Sequence, residues 1–421
     1  MSTTTCLQIE EIHRKPSTFH RKIFSETTPK PLVTTTVKEE VITQTPLQAK
    51  QRVLLLKAAR EQYTLVDDHH VPSILHPGEF LVKVLAIGLN PIDWKGPAFN
   101  FGIPSLPWIN GRDLAGLVLQ VPNESSRLRV GDIVLVPSTD YRDIRKAAFQ
   151  EYAIATDFNA ARIPSSTSIH ASASLGVAFV AAALALGVSF GVDFSRLTQS
   201  PGPNLVNVIS TLDKKNIPVD IQDEIFAISS ESDRPQPGDW VAIWGASTTT
   251  GLVALQLAKL AGLRVICVAD VARHGAKLLQ SGADLLVDRR DTERAVEIIR
   301  GVTGGKLRYA IDIVGKETAM LLERTLDPPN NAHLLGLTGL PKDRVPGISY
   351  HTVPIKLFHT APAVGESLVT WLESLLQSGV LTLPEIIRAE GGLEGINAAL
   401  DVLRSGEASG KRIVVDLESH S

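Results

Sequence analysis

The 421-residue chain is poor in cysteine, in aromatic residues and in net charge. Its two cysteines, Cys6 and Cys267, are too few for a disulfide framework or a cysteine-based metal site. Aromatic residues make up 5% of the chain and the formal net charge is -3, so a basic surface for nucleic acid or an anionic membrane is not expected. No apolar run reaches the ~20 residues that cross a bilayer. These absences favour a reduced, cytoplasmic protein that binds neither nucleic acid nor a membrane.

The first 48 residues differ in composition from the rest of the chain. They are polar and rich in threonine, and glutamates recur among them, including Glu10, Glu26 and Glu39. Transit peptides are poor in acidic residues, so residues 1–48 are predicted to form a disordered leader. A targeting signal is the alternative that the sequence leaves open.

Two patterns of strands and helices follow the leader. From Gln51 to about Pro164, short β-like runs such as EFLVKVLAIGLN alternate with turn sequences such as HPGE, which is typical of an antiparallel, barrel-like β domain. From Trp240 to about Gly339, apolar strands alternate with amphipathic helices, which is typical of a doubly wound parallel sheet. A chain of this length is expected to form two domains. We therefore predict an α/β fold with a Rossmann sheet and a second, β-barrel-type domain.

The segments around these two patterns are less regular. An Ala-rich run at Ala171–Val188 predicts a buried helix. Residues 188–236 have no clear periodicity and are interpreted as an inserted loop with some helix near Val206–Leu212. After the Rossmann pattern, two helical runs and a last strand, RIVVDL, are predicted.

The stretch Trp240–Gly251, WVAIWGASTTTG, predicts a strand, a phosphate-binding turn and the start of a helix. Gly245 ends the strand, and Gly251 allows the helix to pack closely against the sheet. The helix N-terminus then favours a pyrophosphate. The middle glycine of the usual motif is absent, and hydroxyl residues fill the turn: Ser247, Thr248, Thr249 and Thr250. The alternative is a turn without a ligand, but the strand–helix units that follow favour a nicotinamide dinucleotide.

The next strand end, CVADVARHG, bears on the choice of cofactor. Asp270 there favours the free ribose hydroxyl of NADH, whereas Arg273 and His274 favour the phosphate of NADPH. Arg289 and Arg290 follow the third strand and add to the positive charge. Each arginine alone is equally well read as a surface charge, but together they favour NADPH over NADH.

Several motifs now carry a family resemblance. The chain resembles the medium-chain dehydrogenase/reductase superfamily in its zinc-independent quinone oxidoreductase and enoyl reductase branch, and is most similar to fungal trans-acting enoyl reductases that work beside polyketide synthases. The matching motifs are Leu89–Lys95, Gly111–Gly116, Arg129–Asp132, Gly245–Gly251, Asp312–Gly315, Leu403–Gly406 and Ser409–Lys411.

The resemblance implies a GroES-like catalytic domain beside the Rossmann domain. The predicted layout is a leader at 1–48, the first part of the catalytic domain at 49–170, and the Rossmann domain at 171–340 with the insertion 188–236. A return segment at 341–421 then completes the catalytic domain and the cleft.

The resemblance also allows a residue-by-residue test for zinc. Zinc-dependent relatives need a cysteine where this chain has Asn90 or Pro91, and a His-Glu pair where it has Arg112 and Asp113. The other ligand-like cluster, Asp67–His70, is interpreted as a polar surface loop. No zinc is expected.

Candidate site residues follow from the same resemblance. Lys95 and, more speculatively, Tyr141 are the candidate catalytic donors, and surface positions are the alternative for both. The implied cofactor contacts come from the phosphate turn, from the basic residues after it and from the cleft: Asn90, Asp93, Lys95, Gly245, Ser247, Thr248, Thr249, Thr250, Gly251, Arg273, His274, Arg289, Gly336, Leu337, Gly410 and Lys411.

Without a metal, the chemistry that remains is hydride transfer to an activated acceptor. The predicted function is NADPH-dependent reduction of a conjugated C=C bond in an enone or a carrier-bound enoyl thioester, with a polyketide synthase as the partner that the resemblance implies. Quinone reduction and a non-catalytic, nucleotide-binding scaffold are the alternatives, followed by an elimination or cyclisation activity. Substrate identity, the role of residues 188–236 and the choice between monomer and homodimer stay open.

Overall fold

The structure is a computed structural model that describes residues 48–122, 126–227 and 230–417. The predicted disordered leader lies, up to residue 47, outside the described residues. Residues 48 to 417 form one compact unit. Most of its buried apolar side chains pack on two sheets, one parallel and one largely antiparallel.

The catalytic domain is built on β-branched and aliphatic runs, which favour pleated, half-buried strands. In the part of the chain that the structure describes, the order β15-β16-β3-β5-β6-β8, with β7 also paired to β3, makes a seven-stranded sheet, and β2-β1-β4 makes a smaller one. The strands are β1 (Lys50–Leu56), β2 (Thr64–His70), β3 (Glu79–Gly88), β4 (Trp108–Ile109), β5 (Asp113–Gln120), β6 (Ile133–Val136), β7 (Tyr152–Thr156), β8 (Ala161–Arg162), β15 (Ile386–Ala389) and β16 (Arg412–Asp416).

The return segment completes this domain. β16 runs antiparallel to the end of β3, with Val414 opposite Gly88, and β15 runs parallel to β16. The prediction of a polar loop at Asp67–His70 is wrong, because these residues form the end of β2, where His69 pairs with Gln51 at the edge of the small sheet. They do lie at the surface, since the side of β2 away from β1 has no strand partner among the described residues.

The Rossmann sheet is parallel throughout, in the order β11-β10-β9-β12-β13-β14. This is the doubly wound order, with its switch point between β9 and β12. The sheet continues past the predicted domain boundary at 340, because Ile348–His351 pairs with β13. The strands are β9 (Trp240–Trp244), β10 (Arg264–Ala269), β11 (Leu285–Asp288), β12 (Tyr309–Asp312), β13 (Ala332–Gly336) and β14 (Ile348–His351).

Helices cover the Rossmann sheet and connect the two domains. The Ala-rich run forms α2, α3 and a π-helical turn at Ala185–Ser189, all largely buried. Residues 188–236 contain two short helices, of which α4 matches the helix predicted near Val206–Leu212. None of the described helices is long and apolar enough to cross a membrane. The helices are α1 (Pro91–Phe99), α2 (Ile169–Ala173), α3 (Gly176–Leu184), α4 (Leu205–Ser210), α5 (Val219–Phe226), α6 (Thr249–Leu260), α7 (Val271–Gln280), α8 (Thr292–Thr303), α9 (Lys316–Glu323), α10 (Lys356–Thr360), α11 (Pro362–Ser378) and α12 (Ile396–Ser405).

Candidate functional site

The turn between β9 and α6 has the geometry of a phosphate cradle. Gly245 has a φ of +87°, a left-handed conformation that favours glycine. A Cβ on Gly251 would lie 2.5 Å from the Gly245 carbonyl oxygen and 2.7 Å from the Ala246 Cα. The first turn of α6 therefore lies directly against the end of β9, as predicted for Gly251.

The hydroxyls of the turn do not all face outward to a ligand. Thr248 is the N-cap of α6: its hydroxyl accepts from the Gly251 amide at 3.1 Å and donates to the Gly245 carbonyl at 2.8 Å. Its hydrogen is thus used inside the turn, which stabilises the helix start. Ser247 lines the neighbouring cavity, whereas Thr249 and Thr250 open the first turn of α6.

A cavity of about 440 Å³ lies where the strands of the Rossmann sheet end, which is where open α/β sheets bind ligands. Its walls come from the ends of β9, β10, β11 and β12 and from the C-terminal return segment. Predicted cofactor residues that line it are Gly245, Ser247, Thr248, His274, Arg289 and Gly410. Trp244, Asp270, Arg290, Val314, Thr318 and Ser409 line it as well.

A second cavity, of about 530 Å³, lies at the opposite end of the same sheet. Pro237 and Gly262, which border it, come just before β9 and β10. The phosphate turn and the switch point are at the other ends of these strands, so this cavity is not the cofactor site.

Asp270 and the two arginines after β11 form the polar wall of the 440 Å³ cavity. Arg290 Nη2 donates to Asp270 Oδ2 at 3.0 Å, and the Arg273 amide donates to Asp270 Oδ1 at 3.3 Å. Desolvation would raise the pKa of Asp270, but these two donors and the charge of Arg289 lower it. The Asp270 carboxylate is therefore ionised and hydrogen-bonded to Arg290 and to the Arg273 amide. The guanidinium groups of Arg289 and Arg290 keep this wall positively charged.

His274 joins the Rossmann domain to the return segment. Its Nε2 lies 3.2 Å from the Ser409 hydroxyl, and a Cβ on Gly410 would lie 2.5 Å from its Cε1. Desolvation, followed by the charge of Arg273, lowers the pKa of His274. The ring therefore closes the cavity as a neutral group. Ser409 was missed as a site residue, although it stands in the same motif as Gly410.

Other residues predicted to contact the cofactor lie outside this cavity lining. Arg273 is exposed, and the Lys411 ammonium lies 3.7 Å from Glu385. The end of β13 is tightly packed instead: the Leu337 amide donates to the Asp312 carbonyl, and a Cβ on Gly336 would lie 2.5 Å from the Gly339 carbonyl oxygen.

Asn90, just after β3, belongs to a buried hydrogen-bond network. Its amide donates to Asp113 Oδ2 at 2.9 Å, and its oxygen accepts from Arg412 Nη2 at 2.9 Å. Asp113 Oδ1 accepts from the amides of Ser138 and Val177. Asn90 thus ties β3, β5 and β16 together, with its side chain directed inward.

Asp93 is also buried, with 2% of its surface exposed. Its Oδ2 accepts from the backbone amide of Asn90 at 2.7 Å, and its Oδ1 has no hydrogen-bond partner among the described residues. Burial raises the pKa of Asp93 from 3.8 to about 7, against the lowering effects of the Asn90 amide and Arg112. The carboxyl is therefore close to half-protonated at neutral pH.

This raised pKa predicts how Asp93 affects stability. Because the folded state holds the proton more tightly than the unfolded state, ionisation costs folding free energy that sets in as the pH rises from 3.8 to about 7. We expect Asp93→Asn to gain stability relative to the original chain across this window, since an amide oxygen still accepts from Asn90. Urea unfolding at several pH values tests this. A difference that does not change with pH would contradict it.

Arg112, which stands where the family resemblance puts a zinc-ligand histidine, meets Tyr141. The Arg112 guanidinium lies 4.7 Å from the centre of the Tyr141 ring, a cation–π contact. Lys356, at the start of α10, lies close enough for Asp220 and Tyr141 to raise its pKa. Lys95 is half-buried on α1, and its Nζ lies 5.7 Å from the centre of the Trp94 ring. The sequence missed Lys356 because its partner Asp220 is 136 positions away.

The residues at the zinc-ligand positions do not suit a metal. Asn90 and Asp113 are bonded to Arg412, and Arg112 contributes a cation. Across residues 48–122, 126–227 and 230–417, no three His, Cys, Asp or Glu side chains are grouped as ligands. The hydrogen-bond donors here are the Arg112 guanidinium, the Tyr141 phenol and the Lys356 ammonium.

Comparison with known families and folds supports the predicted fold. The model of the alcohol dehydrogenase GroES-like domain matches residues 76–165, and that of the zinc-binding dehydrogenase matches residues 249–354. An Escherichia coli quinone oxidoreductase complexed with NADPH has the same fold, with a TM-score of 0.63, 19% identity and coverage of 87% of this chain and 100% of that one. The CurK enoyl reductase has the same fold, with a TM-score of 0.64, 16% identity and coverage of 88% of this chain and 99% of that one. Residues 76–165 therefore match the GroES-like domain family and residues 249–354 match the dehydrogenase family, and the predicted fold class is confirmed.

The chain is also similar to curated sequence relatives. A trans-enoyl reductase of Botryotinia fuckeliana is 29% identical over 374 residues, which cover 82% of this chain and 94% of the relative. A trans-enoyl reductase of Penicillium oxalicum is 28% identical over 397 residues, covering 87% and 93%. The predicted similarity to fungal trans-acting enoyl reductases is confirmed.

Proposed function

We propose that this chain is an NADPH-dependent enoyl reductase that acts on a conjugated C=C bond beside a carbonyl or thioester. One observation carries the proposal: Arg112, at a position where the resemblance implies a zinc ligand in metal-dependent relatives, here packs against Tyr141. Such a centre stabilises negative charge on an oxygen through donors and needs no metal. The names of the sequence relatives support the same reaction.

The cofactor fits the residues of the cavity at the strand ends. Gly245 turns the chain at the end of β9, Gly251 lets α6 start directly against that strand, and the α6 N-terminus supplies amides for a pyrophosphate. Arg289 and Arg290 supply the charge for a 2′-phosphate, which favours NADPH over NADH. When bound, the dinucleotide supplies a hydride to the β-carbon of the acceptor.

The chain's own residues would then stabilise the product of hydride addition. Negative charge collects on the carbonyl oxygen of the acceptor, and a phenol beside a guanidinium is suited to donate to that oxygen. Tyr141 is the proposed donor, and Arg112 holds its ring. Lys95 is proposed as a second donor from α1. No zinc takes part in this scheme.

The reaction is tested with the purified full chain. NADPH and NADH are each titrated, and NADPH oxidation is then followed with an enone, a trans-2-enoyl thioester and a quinone as acceptors. Reduction of the enone or the thioester supports the proposal. Oxidation with the quinone alone would favour the quinone reductase alternative, and binding without oxidation would favour a nucleotide-binding scaffold.

Replacing Tyr141 by phenylalanine should lower kcat with an enoyl thioester by about 100-fold, as expected for the loss of one donor to a developing oxyanion. The Kd for NADPH should not change, because Tyr141 is not part of the cofactor cavity lining. Steady-state kinetics and NADPH fluorescence titration measure both constants. An unchanged kcat would remove Tyr141 from the mechanism.

A partner is also proposed. The relatives are named trans-enoyl reductases, so we infer that the acceptor reaches this chain on the carrier of a polyketide synthase. Reduction of a carrier-bound enoyl thioester that exceeds reduction of the free thioester would support this. A cytoplasmic location and the state of monomer or homodimer stay predictions.

A further inference from the structure

One helix of the insertion, residues 188–236, contacts the segment that leads to Tyr141. Helix α5 places Asp220 and Glu224 one turn apart, so both carboxylates lie on the same face. This face meets the segment 351–356, which connects the Rossmann edge strand β14 to α10. The adjacent side of α5 is anchored by Ile221 and Ile225, which are buried in the main core.

Each carboxylate holds one end of that segment. Glu224 Oε1 lies 3.0 Å from His351 Nδ1, and Glu224 Oε2 accepts from the Thr352 amide at 3.4 Å. At the other end, Asp220 accepts a hydrogen bond from the Lys356 ammonium. The six-residue connection is thereby fixed to α5 at both ends.

The first of these attachments leads into a rigid aromatic stack. His351 Nε2 lies 3.0 Å from His333 Nδ1, and the two rings stack at 5.3 Å, with Tyr309 next in the stack at 5.4 Å. Phe190, from the start of the insertion, meets these rings edge-on. Burial lowers the pKa of His333 to about 4, so this ring is neutral at physiological pH. The stack holds His351, the first residue of segment 351–356, in place.

The second attachment leads to the proposed active centre. Lys356 lies between Asp220 and Tyr141, whose charges and hydrogen bonds raise its pKa. On the following turn, His359 Nε2 lies 3.5 Å from the Ser138 hydroxyl, in the loop that carries Tyr141. The start of α10 therefore lies beside the loop that carries Tyr141.

We propose that the insertion is a positioning device for the reductase: Asp220 and Glu224 hold segment 351–356 so that Lys356 stays beside Tyr141. This inference rests on the proposed function. When the Tyr141 hydroxyl passes its proton to the enolate oxygen of the reduced substrate, the ammonium of Lys356 and the guanidinium of Arg112 stabilise the phenolate until water returns a proton to it. Lys356, Asp220 and Glu224 act through Tyr141 and are positioning residues.

The first part of the test needs no substrate. Hydrogen–deuterium exchange of peptides covering residues 351–360 is compared in the full chain and in Asp220→Asn, Glu224→Gln and Asp223→Asn. Asp223 lies on the exposed side of α5 and is the matched control. We expect about tenfold faster exchange in this segment for the first two variants only, because local opening becomes easier. Equal exchange in all three variants would overturn the positioning role.

The second part measures coupling in catalysis. Lys356→Met and Asp220→Asn should each lower kcat about tenfold for the enoyl substrate with the Kd for NADPH unchanged, and the double variant should lose no more than Lys356→Met alone. Lys356→Arg should recover part of the loss. Additive losses, or normal kcat in Lys356→Met, would overturn the role of Lys356.

The two parts separate this inference from the proposed function. If the original chain binds NADPH and reduces neither enone nor enoyl thioester, the proposed function fails, and with it the role of Lys356 in supporting Tyr141. The exchange measurement still decides whether α5 holds segment 351–356. Thermal unfolding of every variant shows whether a lost activity reflects a lost fold.

Discussion

Replacing Arg289 and Arg290 together by alanine is expected to weaken the binding of NADPH by about 150-fold and to leave NADH binding almost unchanged. Both side chains line the cavity at the strand ends, and Arg290 bonds to Asp270. Two charge-assisted hydrogen bonds to a phosphate, at about 1.5 kcal/mol each, account for that factor. NADH lacks the 2′-phosphate, so it loses none of these contacts. Fluorescence titration with both nucleotides gives the ratio directly.

Arg273 is the matched control for this prediction. The sequence places it in the same basic group, but in the structure it is exposed and does not line the cavity. Arg273→Ala should therefore change the NADPH Kd by less than about threefold, the size of a screened surface effect. If Arg273→Ala proves as damaging as the double variant, the 2′-phosphate lies nearer α7 than the cavity walls indicate. If neither affects NADPH, the preference for NADPH has another origin.

Arg412→Met is expected to produce the largest loss of stability. Arg412 is 7% exposed and bonds to Asn90 and Asp113, of which Asp113 is fully buried. Burial raises the pKa of Asp113, and the charge of Arg412 is the strongest opposing effect. Without the guanidinium, the carboxylate stays buried with amide partners alone. Removing one partner of a buried pair costs about 3–5 kcal/mol, which urea unfolding followed by tryptophan fluorescence can measure.

A double variant and a surface pair provide the controls. Asp113→Asn combined with Arg412→Met removes both charges while an amide oxygen still accepts from Ser138 and Val177, so we expect a smaller loss than for Arg412→Met alone. Arg324→Met breaks an exposed pair with Glu293 and should cost no more than about 1 kcal/mol. If Arg412→Met and Arg324→Met are equally mild, the buried network does not hold the catalytic sheet together.

The features predicted correctly from sequence are those encoded locally. The run from Trp240 to Gly251 contains a strand, a tight turn and a helix start within twelve consecutive residues, and the structure has all three. The alternation of strands and helices that follows is equally local, so the parallel sheet and its order were predictable from general rules of chain connection.

The contacts that complete the site join distant parts of the chain. Asp113 meets Arg412 across 299 positions, and Asp220 meets Lys356 across 136. No spacing rule connects such pairs, because their proximity depends on how the two domains and the insertion pack. The same holds for Asn90, whose amide suits either a ligand or a buried network. For Thr248, only the cap geometry reveals that its hydroxyl hydrogen is already used.

The return of the C-terminal segment to the catalytic sheet has a consequence for the order of folding. All six Rossmann strands are synthesised before residue 352, whereas β15 and β16 comprise Ile386–Ala389 and Arg412–Asp416. Until then, Ala86–Gly88 of β3 lacks its pairing with β16, and Arg412 is not there to neutralise Asp113. On the ribosome, the dinucleotide-binding half can therefore fold first, while the half synthesised earlier waits with an open strand edge for the end of the chain.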